Sequence, residues 1–164
     1  MTINSPQTTL IDANTFFHTL SADQPSKVKR KTFEAVTGLD YYALDAIWLK
    51  QDEVPERLSA RAIMTNLGAL LDLRSKEVAS LLGVSESRIS RNDQVTLAML
   101  DRAEGISDTF AKVAAVLGFE HARDWFKTSN PALEGAAPYT LLSTQYGQKK
   151  VENLITALLN GAVV

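Results

Sequence analysis

Six side chains in the stretch SKEVASLLGVSESRISRN, Ser75 to Asn92, carry groups that can read a polyanion: Ser85, Glu86, Ser87, Arg88, Ser90 and Arg91. An arginine can donate two hydrogen bonds to guanine O6 and N7, a pairing that discriminates between bases by roughly 1–3 kcal/mol. Serine hydroxyls suit phosphate oxygens or base edges. The residues before them supply the means of presenting them. Ala79 is small enough for two helices to touch, and Gly83 stands where a tight turn needs φ > 0. Leu82, Val84 and Ile89 are apolar and would lock the pair onto a preceding helix, while Ser85 would cap the second helix. This is the pattern of a helix-turn-helix, whose second helix enters the DNA major groove. Two features depart from it. Asn92 stands where an apolar packing residue is usual, and Asp93 follows where a basic backbone-contacting turn is expected.

Other chemistries have fewer residues to draw on. The 164-residue chain has no cysteine and two histidines, His18 and His121. Thiolate metal sites and thiol nucleophiles are thereby excluded, and no glycine-rich phosphate loop is present. The expectation is a binding protein and no enzyme, without metal or cofactor. Seventeen basic residues against nineteen acidic ones give a net charge of −2, so any DNA affinity must come from local clusters. Arg88 with Arg91 is one; KVKRK (Lys27, Lys29, Arg30, Lys31) is another, although it reads equally as the solvated face of a helix. The start MTINSPQTTL lacks a basic start and an apolar run, and no segment is apolar over ~18 residues. A cytoplasmic protein without membrane contact is expected.

The elements that must position these residues are helical throughout. Phe33 and Val36 precede a stop at Gly38; Leu44, Ile47 and Trp48 mark a second helix; Ile63, Leu67, Leu70 and Leu71 mark a third. Beyond the motif, Val95–Ala103 and Thr109–Leu117 read as two helices, with Ser107 capping the second and Gly118 ending it. Glu120–Lys127 is a short helix, Thr128–Tyr139 a loop rich in turn residues, and the segment from about Gln145 to Asn160 a last helix ended by Gly161. The fold class is all-α: a helix-turn-helix bundle followed by a small helical domain. The boundaries fall at 1–53 (an arm and helices, a possible dimerisation region), 54–106 (the helix-turn-helix domain) and 107–164 (the C-terminal domain). Tyr41, Tyr42 and Trp48 are candidates for dimer contacts or for covering the core.

The C-terminal third carries a second pattern. Gly118, Ala122, Trp125, the Asn130–Pro131 pair, Leu133, Gly135 and Pro138 lead to Leu141, Leu142, Thr144, Gly147, Val151, Leu154 and Gly161. With these residues the chain, over roughly Val54 to Gly161, resembles the Xre/MbcA/ParS group of antitoxins. The resemblance implies a two-part antitoxin. Its N-terminal part would dimerise and bind the operator of its own operon, and its C-terminal part would cap a toxin. The usual partner is a RES-domain toxin that depletes NAD. The family's basic, glycine-containing turn after the recognition helix is shortened here to RNDQVTLAMLDRAEGI, which puts autoregulation in question and leaves toxin neutralisation untouched.

Trp125, Asn130, Leu133 and Gly135 are the candidate toxin contacts in the aromatic helix and its braced loop, aromatic anchors being favoured at interfaces. Trp125 reads equally as core. Gly161, Ala162, Val163 and Val164 are candidates at the other end, where the small apolar NGAVV suits insertion into a partner's cleft. The alternative reading is a stand-alone Xre-type repressor whose C-terminal domain serves oligomerisation. For either, a C2 homodimer is expected, because operators are usually palindromic.

Overall fold

The computed structural model describes residues 25–161. Residues 1–24, which include His18 and the start of the expected arm, lie outside the described residues. Within them the chain is all-α. It runs α1 (Pro25–Thr37), α2 (Tyr41–Lys50), α3 (Ala60–Leu71), α4 (Ser75–Leu82), α5 (Glu86–Arg91), α6 (Leu97–Leu117), α7 (Phe119–Lys127), two 3₁₀ turns (Pro131–Leu133 and Pro138–Leu141) and α8 (Gln145–Leu159).

Helix α6 is the spine: α1, α7 and α8 all pack against it. It is one helix of 21 residues, not two, with Thr96 as its N-cap and Ser107 fully buried near its middle. Ser107 and Gly105 look like a break in the sequence, but Met99, Ala103, Ile106, Phe110 and Val113 continue one apolar stripe straight through them. Gly105 has a packing role instead. A Cβ there would come 2.5 Å from the side-chain amide of Gln148 on α8, so the glycine leaves room for that side chain between the two helices. The expected boundary between residues 106 and 107 falls inside this helix.

The first two helices are held to α6 by both packing and charge. Phe33 and Val36 are fully buried, and Tyr41 sets its ring edge-on to Phe33 at 5.5 Å. Lys29 pairs with Glu104 at 2.8 Å and Asp108 at 3.6 Å, while the Tyr41 hydroxyl donates to Glu104 at 3.2 Å. Burial alone would push the Lys29 ammonium down; the two carboxylates outweigh it and hold the group charged above the usual lysine range. Tyr41 thus covers the core, whereas Tyr42 and Trp48 stay exposed on α2. The Thr128–Tyr139 segment is not a plain loop, since the first 3₁₀ turn lies within it and the second begins there.

Candidate functional site

The α3–α4–α5 unit has the helix-turn-helix arrangement, and each of its joints has a local cause. Gly83 adopts φ +68°, closing α4 with hydrogen bonds from its own N–H to Ser80 O and from Val84 N–H to Ala79 O. That doubly bonded ending requires a left-handed residue. A Cβ on Gly83 would also lie 1.3 Å from the Arg102 guanidinium, which covers the turn. Ala79, Leu82 and Ile89 are buried, and the Ser85 hydroxyl accepts from Arg88 N at 3.2 Å as the N-cap of α5.

The six predicted DNA-facing residues, Ser85, Glu86, Ser87, Arg88, Ser90 and Arg91, are all exposed and lie together on α5 and its cap. At about 100° per residue, Ser87 and Arg91 point directly away from buried Ile89, with Arg88 and Ser90 on the flanks. Arg91 Nε donates to Ser87 O at 3.2 Å, which lays its guanidinium along the helix. Glu86 is the one acid on this helix.

Asn92 and Asp93, the two departures from the motif, have structural work. Asn92 ends α5, and its side-chain oxygen accepts from Gln94 N at 3.1 Å, turning the chain so that Val95 becomes the buried apolar residue. The Asp93 carboxylate accepts from Arg61 N and from the Ser59 hydroxyl, both at 2.7 Å, at the start of α3. A negative group is favourable at a helix N-terminus. The acid therefore clamps the exit of α5 to the first helix of the unit. Nothing in its local sequence signals this, because its partners lie more than 30 residues away.

In the C-terminal part the predicted residues separate. Phe126 is fully buried and stacks on Phe110 at 5.5 Å; Trp125, half-buried, meets Phe126 edge-on at 5.2 Å. Asn130 and Leu133 are buried. Asn130 organises the loop: its side chain accepts from Ala132 N at 2.9 Å, its N–H donates to Ala136 O at 3.1 Å, and its carbonyl accepts from Gly135 N at 3.0 Å. Glu134 and Gly135 are both left-handed, at φ +58° and +86°, which closes this small knot. Gly135 and Gly161 are exposed. Ala162, Val163 and Val164 lie outside the described residues. Thus Asn130 and Leu133 brace the loop from within, and Gly135 offers its surface.

Three side chains of this C-terminal part end on the α3–α4 corner. Arg123 donates to Ala69 O at 2.7 Å, Lys127 pairs with Asp72, and the Tyr139 hydroxyl donates to Glu77 at 3.2 Å. Glu77 in turn accepts from Arg74 N at 2.9 Å, capping α4. Hydrogen bonding and the charge of Lys127 hold the Asp72 carboxyl below its ordinary range, and burial beside Glu77 pushes the Tyr139 phenol up.

Among the described residues no group of three or more His, Asp or Glu side chains is placed to hold a metal ion. No helix among them is long and apolar enough to cross a membrane. A shallow cleft between residues 54–59 and 92–95 contains the Asp93 clamp. Residues 112–161 match the family model described as the antitoxin Xre/MbcA/ParS C-terminal toxin-binding domain. No curated protein matches the chain.

Proposed function

We propose that this chain, an antitoxin of the Xre/MbcA/ParS family by its residues 112–161, neutralises a RES-type, NAD-depleting toxin by direct contact and represses its own operon. The match to a toxin-binding domain carries the reading. The chain acts by binding and performs no catalysis of its own; NAD turnover belongs to the partner. It works in the cytoplasm as a C2 homodimer that sets two copies of α5 about one DNA turn (~34 Å) apart. Residues Ala162–Val164 enter the toxin's cleft.

The exposed set Ser85, Glu86, Ser87, Arg88, Ser90 and Arg91 supports the DNA half of this reading. With two arginines per copy on that helix, affinity is modest and falls steeply with salt, because few counterions are displaced.

The test is rescue. The gene co-transcribed with this one is expressed alone and with the chain, while growth and cellular NAD are followed. Restoration of both, with co-elution of the two proteins, is the expected result. A harmless neighbour, or toxicity that persists, sinks the antitoxin reading. Loss of rescue on deleting Ala162–Val164 is expected as well; full rescue by that variant removes the tail from the mechanism.

A further inference from the structure

Asn130 and Leu133 are buried and Trp125 is half-buried, so of the predicted contacts on the aromatic helix and its loop Gly135 alone is fully exposed. The matched segment has another surface. On α8, Val151, Leu154 and Ile155 face the core, and the opposite side presents Tyr146, Lys149, Lys150, Asn153 and Thr156, all exposed. These positions recur at three- and four-residue steps, so they form one continuous stripe. Tyr146 is 73% exposed, and Lys150 Nζ stands 5.4 Å from its ring centroid. The acid of this helix, Glu152, is turned to the other edge and engaged by Lys112 at 3.0 Å. The stripe thus carries two positive charges and no negative one, on a chain whose net charge is −2.

We infer that the Tyr146–Lys149–Lys150 face of α8 is the docking surface for the toxin, and that it fits an acidic patch on the toxin with an apolar slot for the phenol ring. The inference rests on the antitoxin reading above, because it assigns residues within the matched toxin-binding domain. Two observations favour this occupant. The face lies wholly inside residues 112–161. Its two lysines would repel the same face of a second copy, so it favours an acidic partner over a face-to-face pairing of two such chains. Tyrosine is enriched among residues that dominate interfaces, since it gives large contact area with few rotatable bonds.

The experiment uses the full chain and the toxin encoded beside it, the latter inactivated by mutation so that both can be purified. Tyr146→Ala and the pair Lys149→Glu with Lys150→Glu are compared with the parent chain and with Lys50→Glu, a charge reversal on α2. All the altered side chains are exposed, and circular dichroism checks the fold. The expected result is a loss of about ten-fold or more in toxin affinity for Tyr146→Ala and for the double reversal, with Lys50→Glu unchanged. The loss from the double reversal should shrink at high salt. A parent chain that binds the toxin while both α8 variants bind equally well overturns this surface and leaves the antitoxin reading standing. A parent chain that binds no toxin overturns both.

Discussion

At the scale of single residues, Asp93 ties the end of α5 to the start of α3 through the Ser59 hydroxyl and the Arg61 N–H. Gly83, Ser85 and Ile89 can be read from the sequence because a left-handed turn, a helix cap and a buried face each depend on their immediate neighbours. Asp93 cannot, since its hydrogen-bond partners are Ser59 and Arg61. Asp93→Ala should lower stability by about 1 kcal/mol, the usual worth of a helix-start acceptor, as measured by urea unfolding. An unchanged midpoint would deny it the clamp role. Gly147 sets a sharper constraint. A Cβ there would lie 1.9 Å from Leu141 O, a backbone atom that cannot step aside alone. Gly147→Ala is expected to destabilise the chain by about 1–3 kcal/mol, the range for overpacking, and thermal melting reads the loss. On α5, Arg91→Ala and Arg88→Ala should each weaken operator binding and flatten its salt dependence, as followed by fluorescence anisotropy. Equal affinities and equal slopes for parent and variants would take these side chains off the DNA.

At the scale of elements, α6 is where reading by local signals went astray. Gly105 and Ser107 resemble an ending and a cap, yet the apolar stripe from Met99 to Val113 has no gap, and packing from α1, α7 and α8 overrides the weak helix preference of both residues. A period followed across the two would have given one helix. The docking of α1 on α6 brings a pH dependence. Burial raises the Tyr41 phenol, and Glu104 and Asp108 together raise Lys29 against the effect of its burial. Both groups hold protons more tightly folded than unfolded, so their contribution is complete below their ordinary values of about 10 and declines as pH climbs beyond them. Stability should therefore fall on the alkaline side from about pH 10, and Glu104→Gln should make that fall shallower. Identical alkaline limbs for parent and variant would show that Glu104 does not govern it.

At the scale of the molecule, the fold class was plain from periodicity, but the joining of the two halves was not. Arg123, Lys127 and Tyr139 reach the α3–α4 corner across 54, 55 and 62 residues of sequence, distances at which pattern carries no information. Tyr146 is illegible for a different reason: a lone tyrosine on a helix gives no sign in sequence of whether it faces water. Tyr139→Phe removes the hydroxyl on Glu77 and keeps the ring. Amide hydrogen exchange through Ser75–Leu82 should quicken several-fold in that variant, because the cap of α4 loses its outer support. Unaltered protection would mean that α4 is held by its own packing.

The continuous α6 bears also on how such a chain can be assembled in evolution. A crossover at codon 107 would join a new C-terminal segment to a severed helix. The donor would supply only the last three of roughly six turns, while the recipient kept the first three with Glu104 and the turn under Arg102. A graft that respects the helix must enter upstream of Thr96 or downstream of Gly118, and the latter leaves Phe110 behind while bringing in its stacking partner Phe126. Exchange of partner specificity among relatives should therefore proceed by substitution on exposed faces, with the spine inherited whole.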